Sequence, residues 1–190
     1  MFDRSIHFCR ACGQPVAHRR PDDGDTRTRA VCTACHTVHY VNPLVVVGTL
    51  PCAADGRVLL CQRAIEPRLG KWTLPAGFME LDETTAQGAA RETDEEAGAD
   101  IDMGPLFSLI NVAAVGQVHL FYRATLNSEA FNPGPESLQV KLFNEAEVPW
   151  DELAFATVRL TLEAHFRDTK AGRFGFHHLD WDSKKPPASR

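Results

Sequence analysis

Four cysteines set the tightest limit on how the start of this chain can fold. Cys9-Arg10-Ala11-Cys12 and Cys32-Thr33-Ala34-Cys35 are two C-x2-C pairs with 19 residues between them. Each pair puts two thiolates on one tight turn, and two such turns together supply the four soft ligands of a tetrahedral zinc ion. The segment between them, rich in Arg, Asp and Gly, is long enough for a hairpin and too polar to make a core. A metal is therefore needed to hold it together. The spacing predicts a zinc ribbon over residues 1–42 with Cys9, Cys12, Cys32 and Cys35 as ligands. His36 and His39 lie beside the second pair, but four thiolates already complete the tetrahedron. A closed site of this kind leaves no position for substrate, so the module is read as structural. The remaining thiols, Cys52 and Cys61, sit in apolar stretches and are expected to be buried and inert.

The rest of the 190 residues suffices for one ordinary domain, residues 43–171, and a tail, 172–190. Charge is divided unevenly. Residues 1–42 hold six Arg against four Asp, whereas residues 43–190 hold 14 basic and 21 acidic groups. An acidic domain is a poor partner for nucleic acid, and it suits phosphates only when bound cations reverse the local sign. The longest apolar runs, such as Pro43–Leu50, are too short to span a bilayer. The first residues lack the apolar core of a secretion signal, so the expected compartment is the cytoplasm, with no membrane partner.

Along the main domain, Leu44–Leu50 and Val58–Gln62 read as buried strands joined by an Asp55-Gly56 turn. Trp72–Leu74 reads as a short strand, and Gly104–Val112, Gln117–Leu126 and Gln139–Phe143 as longer ones. A helix is predicted from about Thr84 to Ala97, with Thr84 and Gln87 as a capping box and Gly98 as its stop. A second helix, about Thr157–Thr169, carries Val158, Leu162 and Phe166 on one stripe and Leu160 off it. A loop, Asn127–Ser137, contains two prolines and a glycine.

The first helix bears Arg91-Glu92-Thr93-Asp94-Glu95-Glu96. At about 100° per residue, Glu92, Glu95 and Glu96 share one face within an arc of roughly 100°. Like charges so spaced destabilise a helix, and a hard divalent cation is the natural counter-charge. Gly88 lies one turn before Glu92, which is expected to extend over it. Ala86, Ala90, Thr93 and Ala97 form a small-residue side expected to press on a sheet. A solvated acidic face would have the same composition, and only the wider constellation separates the two readings.

Gly77, Glu83, Arg91-Glu92, Glu95-Glu96 and Gly98 match the Nudix box, G-x5-E-x7-R-E-U-x-E-E-x-G-U, at every charged and glycine position. Thr93 and Ala99 depart from it where a bulkier apolar residue is usual. Lys71–Gly77 resembles the strand and loop that enter the box. The resemblance implies an α/β fold, an α/β/α sandwich with a mixed sheet. It also implies Mg²⁺ or Mn²⁺ on Glu92, Glu95 and Glu96, with the backbone carbonyl of Ala76 or Gly77 adding a ligand. Arg91 would orient a carboxylate, with Glu83 its partner. The resemblance also makes Glu136, after a stiff Pro133-Gly134-Pro135, the candidate general base, though a solvated loop residue explains it as well. Arg63 is a candidate phosphate contact, though a surface ion pair explains it as well. Phe78, Phe121 and Tyr122 read as core rather than as assigned stacking partners.

The four-cysteine ribbon, Asn42-Pro43 and the Pro133–Ser137 segment together resemble the zinc-ribbon ADP-ribose/FAD pyrophosphatases. That resemblance implies a small nucleotide substrate cut to AMP plus ribose 5-phosphate or FMN, and a homodimer. NADH pyrophosphatases also carry a ribbon, but their S-Q-P-W-P-F-P signature is absent. Hydrolysis of nicotinamide or flavin caps on RNA is a related alternative. A non-catalytic nucleotide sensor or nucleic-acid binder is the competing class, and the intact carboxylate set argues against it.

Overall fold

Val16–Arg19 (β1), Arg29–Cys32 (β2) and Val38–His39 (β3) form a three-stranded antiparallel sheet with β2 in the middle. The computed structural model describes residues 5–182, and the chain divides into units of residues 1–43 and 44–190. In the first unit the Sγ atoms of Cys9, Cys12, Cys32 and Cys35 all lie within 4.8 Å of one another. Neighbouring sulfurs are 3.4–3.6 Å apart, close to the ~3.8 Å edge of a tetrahedron with Zn–S bonds of about 2.3 Å. The donor set therefore fits zinc. Backbone N–H groups of Ala11, Ala34 and Cys35 point at Cys9 and Cys32, and His39 Nε2 lies 3.3 Å from the Cys9 sulfur. His39 thus supports a ligand rather than replacing one.

The second unit holds Leu44–Cys52 (β4), Val58–Arg63 (β5), Trp72–Thr73 (β6), Ala76–Phe78 (β7) and helix Thr85–Ala97 (α1). Ile101–Val112 (β8), Gln117–Leu126 (β9), Ser137–Phe143 (β10), helix Ala156–Ala171 (α2) and His177–Asp180 (β11) follow. The sheet runs β10-β5-β4-β9-β8-β11 and is mixed, with β4 and β9 parallel and β8 and β9 antiparallel. Strand alternation explains the layers. On β5, Val58 and Leu60 pack with Val158, Leu162 and Phe166 of α2, while Leu59 and Cys61 pack with Ala97 of α1. The two helices therefore cover opposite faces, giving the expected α/β/α sandwich.

The capping box is present in full: Thr84 accepts from the Gln87 N–H, Gln87 accepts from the Thr84 N–H, and Gly98 ends α1 in the left-handed conformation. Its buried side differs from the expected one. Ala89, Thr93 and Ala97 are buried, whereas Ala86 and Ala90 are only half-buried at its margin. Thr93 is accommodated in the interior because its hydroxyl meets that of Thr49 at 2.6 Å and donates to the Ala89 carbonyl. Cys61 is buried and Cys52 half-buried; desolvation raises both thiols, Cys52 to about 11, so neither is a nucleophile.

Three features escaped the sequence reading. Strand β8 begins at Ile101, and its register shifts on either side of Leu106, where the preceding Pro105 can be absorbed. Residues 177–180, read as tail, form an edge strand parallel to β8; the Lys/Pro/Ser-rich end, 183–190, lies outside the described residues. Third, β4 and β5 share register only at Cys52↔Val58. Beyond that pair, β7 attaches to β4 and β6 to β5, so the sheet splays open between them. No helix among the described residues is long and apolar enough to cross a membrane.

Candidate active site

A cavity of about 720 Å³ occupies the splayed region. Glu92, Glu95 and Glu96 line it from α1, Arg63 from β5, Glu136 from the loop before β10, and Ala76 and Gly77 from β7. The predicted site residues of the main domain thus reach one space.

Arg91 organises the carboxylates. Its Nε and Nη2 donate to the two oxygens of Glu83 at 3.0 and 2.9 Å, the bidentate geometry that favours Arg. Its Nη1 donates to Glu92 at 2.9 Å and to Glu95 at 3.0 Å, and Nη2 also reaches the Phe78 carbonyl. Hydrogen bonds from Arg91 and the Glu80 N–H hold Glu83 down to about 2, and the same pairing raises Arg91. The guanidinium is therefore fully engaged and acts as a brace.

Two glycines make room for this arrangement, and one does so differently from expectation. A Cβ on Gly77 would lie 2.3 Å from the Glu92 carboxylate, whereas a Cβ on Gly88 would meet Glu83 Oε1 at 2.5 Å and Val47 at 2.9 Å. Gly88 is thus small for Glu83, and Glu92 extends over Gly77. The reason is the brace: Arg91 draws Glu83 onto the helix and swings Glu92 toward the β7 backbone.

Glu96 is 6% exposed and accepts a 3.0 Å hydrogen bond from the Ala76 N–H. Desolvation pushes it up to about 7; the Ala76 bond and Arg63 oppose that, and Glu92 and Glu136 add to it. Desolvation likewise raises Glu92, against the pull of Arg91. Arg63 makes no ion pair within 4.0 Å among the described residues, contrary to the surface-pair reading; it donates to the Pro67 carbonyl and lies over Phe155.

Glu136 owes its place to its loop. Asn132 N–H donates to the Ala97 carbonyl and Gly134 N–H to the Glu96 carbonyl, so the loop caps the end of α1. The Glu136 carbonyl accepts from Ala64 N–H, fastening the loop to β5.

Of the aromatics read as core, Phe121 is in it, and Phe78 is not. Phe78 is 50% exposed and lines the cavity, as does the buried Phe121, while the Tyr122 hydroxyl bonds Thr85 on the α1 side. Sequence reading missed Gln117, His119, Phe155 and Thr157, all cavity-lining. Only the parallel pairing of β4 with β9 and the seating of α2 bring them there, and no local pattern announces that.

Two family models match the chain: the NUDIX domain over residues 42–164 and the Nudix N-terminal zinc ribbon over residues 7–41. The chain belongs to the Nudix hydrolase family. A Nudix hydrolase from Nitrosomonas europaea is 45% identical, with a TM-score of 0.88 over 93% of this chain and 99% of its own. The Nudix domain of Shewanella oneidensis NrtR, solved with ADP ribose, is 27% identical, with a TM-score of 0.56 over 67% of this chain and 90% of that one. The NAD-capped RNA hydrolase NudC of Photobacterium profundum is 29% identical over 145 residues, 75% of this chain and 51% of that protein. This chain therefore spans about half the length of that curated relative.

Proposed function

We propose that this protein hydrolyses the diphosphate bond of a nucleoside diphosphate joined to a second moiety, with ADP-ribose or FAD preferred. The carrying observation is that Glu92, Glu95, Glu96 and Glu136 face one cavity in which Arg91 is already engaged and Arg63 has no carboxylate partner among the described residues. Such a wall accepts an anionic diphosphate only with divalent cations between the two. Hard carboxylate oxygens suit Mg²⁺ or Mn²⁺. The donors fit: Glu96 is buried beside Glu92 and Glu136, a repulsion that a cation relieves. Glu92, Glu95 and Glu96 would hold the metal, with the Ala76 carbonyl beside them. When bound, it supplies an activated water and neutralises phosphate charge.

The protein groups do the positioning. Arg91 fixes Glu92 and Glu95, and the Ala76 N–H fixes one oxygen of Glu96 and leaves the other for a ligand. Glu136 takes the proton of the attacking water as general base, Arg63 contacts a phosphate oxygen, and the bare Gly77 backbone lets the diphosphate approach. The Pro-Gly-Pro-Glu loop and the likeness to a domain solved with ADP ribose support the preferred substrates. The NAD-capped RNA hydrolases among the relatives support a second reading, cleavage of a nicotinamide cap. Both readings make a nucleotide the partner, and zinc-binding thiols suit a reducing compartment such as the cytoplasm.

Incubation with Mg²⁺ and ADP-ribose, FAD, NADH or NAD-capped RNA, with quantification of AMP or decapped product, tests this. ADP-ribose or FAD should turn over best. Absence of turnover with all four, together with nanomolar RNA binding, would overturn the hydrolase reading. Glu96→Gln should lose orders of magnitude in turnover with its fold retained.

A further inference from the structure

The cavity is divided by charge. Its ionisable wall comes from β5 and the loop after it, the β7–α1 segment, α1, and the loop before β10. The α2 side carries Val46, Gln117, Phe121, Thr157 and Val158 around the buried ring of His119. His119 Nε2 lies 2.9 Å from Gln117 Oε1, and Nδ1 lies 3.1 Å from the Thr157 hydroxyl. An amide oxygen only accepts, so the ring proton sits on Nε2; Nδ1 is then a lone pair that accepts the Thr157 proton. Burial away from water keeps the His119 ring neutral, and both ring nitrogens are then satisfied. The Gln117 amide nitrogen remains, with two N–H groups given to no protein acceptor among the described residues.

We propose that this uncharged wall seats the moiety joined to the diphosphate, and that Gln117, oriented by His119 and Thr157, determines specificity by donating to a neutral oxygen of that moiety. The oxygen is a sugar hydroxyl in ADP-ribose or a ring carbonyl in FAD. The inference rests on the proposed hydrolysis and deepens it by naming how the second moiety is read. His119 and Thr157 are positioning residues. Their chain leaves Gln117 one orientation, in which its oxygen is turned to His119 and its amide N–H groups are left to donate to the ligand.

The test is steady-state kinetics of wild type, Gln117→Leu and Gln117→Asn on ADP-ribose, FAD and NADH, with thermal melts as the folding check. Loss of one neutral hydrogen bond is expected to raise KM about 10-fold for the substrate wild type prefers, with kcat within about twofold and a changed preference among the three. Imidazole ¹⁵N shifts should report protonated Nε2 and bare Nδ1 in wild type and lose that pattern in Thr157→Val. Unchanged KM for every substrate, or an equal loss of kcat for all, overturns the assignment. Wild type inactive on all three fails the hydrolysis reading instead. Calorimetric ADP-ribose binding then decides the assignment alone: weaker binding by Gln117→Leu supports it, and equal binding overturns it.

Discussion

Gly134 offers a test of how the loop before β10 and α1 jointly make the site. A Cβ there would lie 1.7 Å from the Glu95 carbonyl oxygen and 2.9 Å from its carbon. Those atoms belong to helical backbone and cannot turn aside, so in Gly134→Ala the loop must lift. Lifting strains or breaks the bonds from Gly134 N–H to the Glu96 carbonyl and from Asn132 N–H to the Ala97 carbonyl. Overpacking costs about 1–3 kcal/mol, and two backbone hydrogen bonds add about 0.5–1.5 kcal/mol each. The expected loss is therefore about 2–6 kcal/mol, or roughly 4–24 °C in Tm for a domain of this size. Glu136, two residues on, leaves the cavity, so kcat should fall more than the melt alone explains at an assay temperature where the variant is folded. Gly175→Ala is the control, because a Cβ there meets nothing within 4 Å, and its Tm should stay near wild type. Scanning calorimetry and turnover of the best wild-type substrate read both effects. A Gly134→Ala protein with wild-type Tm and kcat would refute the close approach and the role of the loop.

Three further outcomes are expected. Arg91→Lys should cut turnover at least about tenfold and raise the Mg²⁺ concentration needed, since one ammonium cannot serve Glu83, Glu92 and Glu95 together; an unchanged Mg²⁺ titration would remove Arg91 as the brace. Purified protein should carry one zinc per chain by elemental analysis and lose it in Cys32→Ser, and a zinc-free wild type that is fully folded would contradict the four-thiolate site. Burial holds His119 and His165 down to about 4, against about 6.5 when unfolded. Between those values the unfolded chain binds protons that the folded chain does not. Stability present in full above pH 6.5 is therefore lost as pH falls toward 4, by roughly 3 kcal/mol per histidine. Tm measured from pH 8 to 4.5 should drop steeply below about pH 6, and a flat profile would show that neither ring is held neutral.

The parts of the site visible in the sequence are those built from contiguous chain. Helix α1 is one segment with its own cap, stop and charge pattern, so its carboxylate face follows from the helical period alone. The two cysteine turns are likewise local. Gly88 marks where local reasoning ends. Its smallness was legible, but its neighbour depends on Arg91 pairing with Glu83, eight residues away, and on a β7 too short to show a period. The α2-side wall was beyond reach for a related reason. Val46, His119 and Thr157 meet only because β4 lies parallel to β9 and α2 packs across both. The opening between β4 and β5 joins these levels. A regular hairpin from Cys52↔Val58 onward would seal the space in which Glu96 reaches Ala76 N–H and would leave the acidic face of α1 with no opposing wall. Instead, Gly48 admits β7 so closely that a Cβ there would lie 2.4 Å from that of Ala76. The inserted β7 holds the sheet apart. The carboxylates are written in the helix, but the cavity they serve comes from a strand pairing that the sheet does not complete.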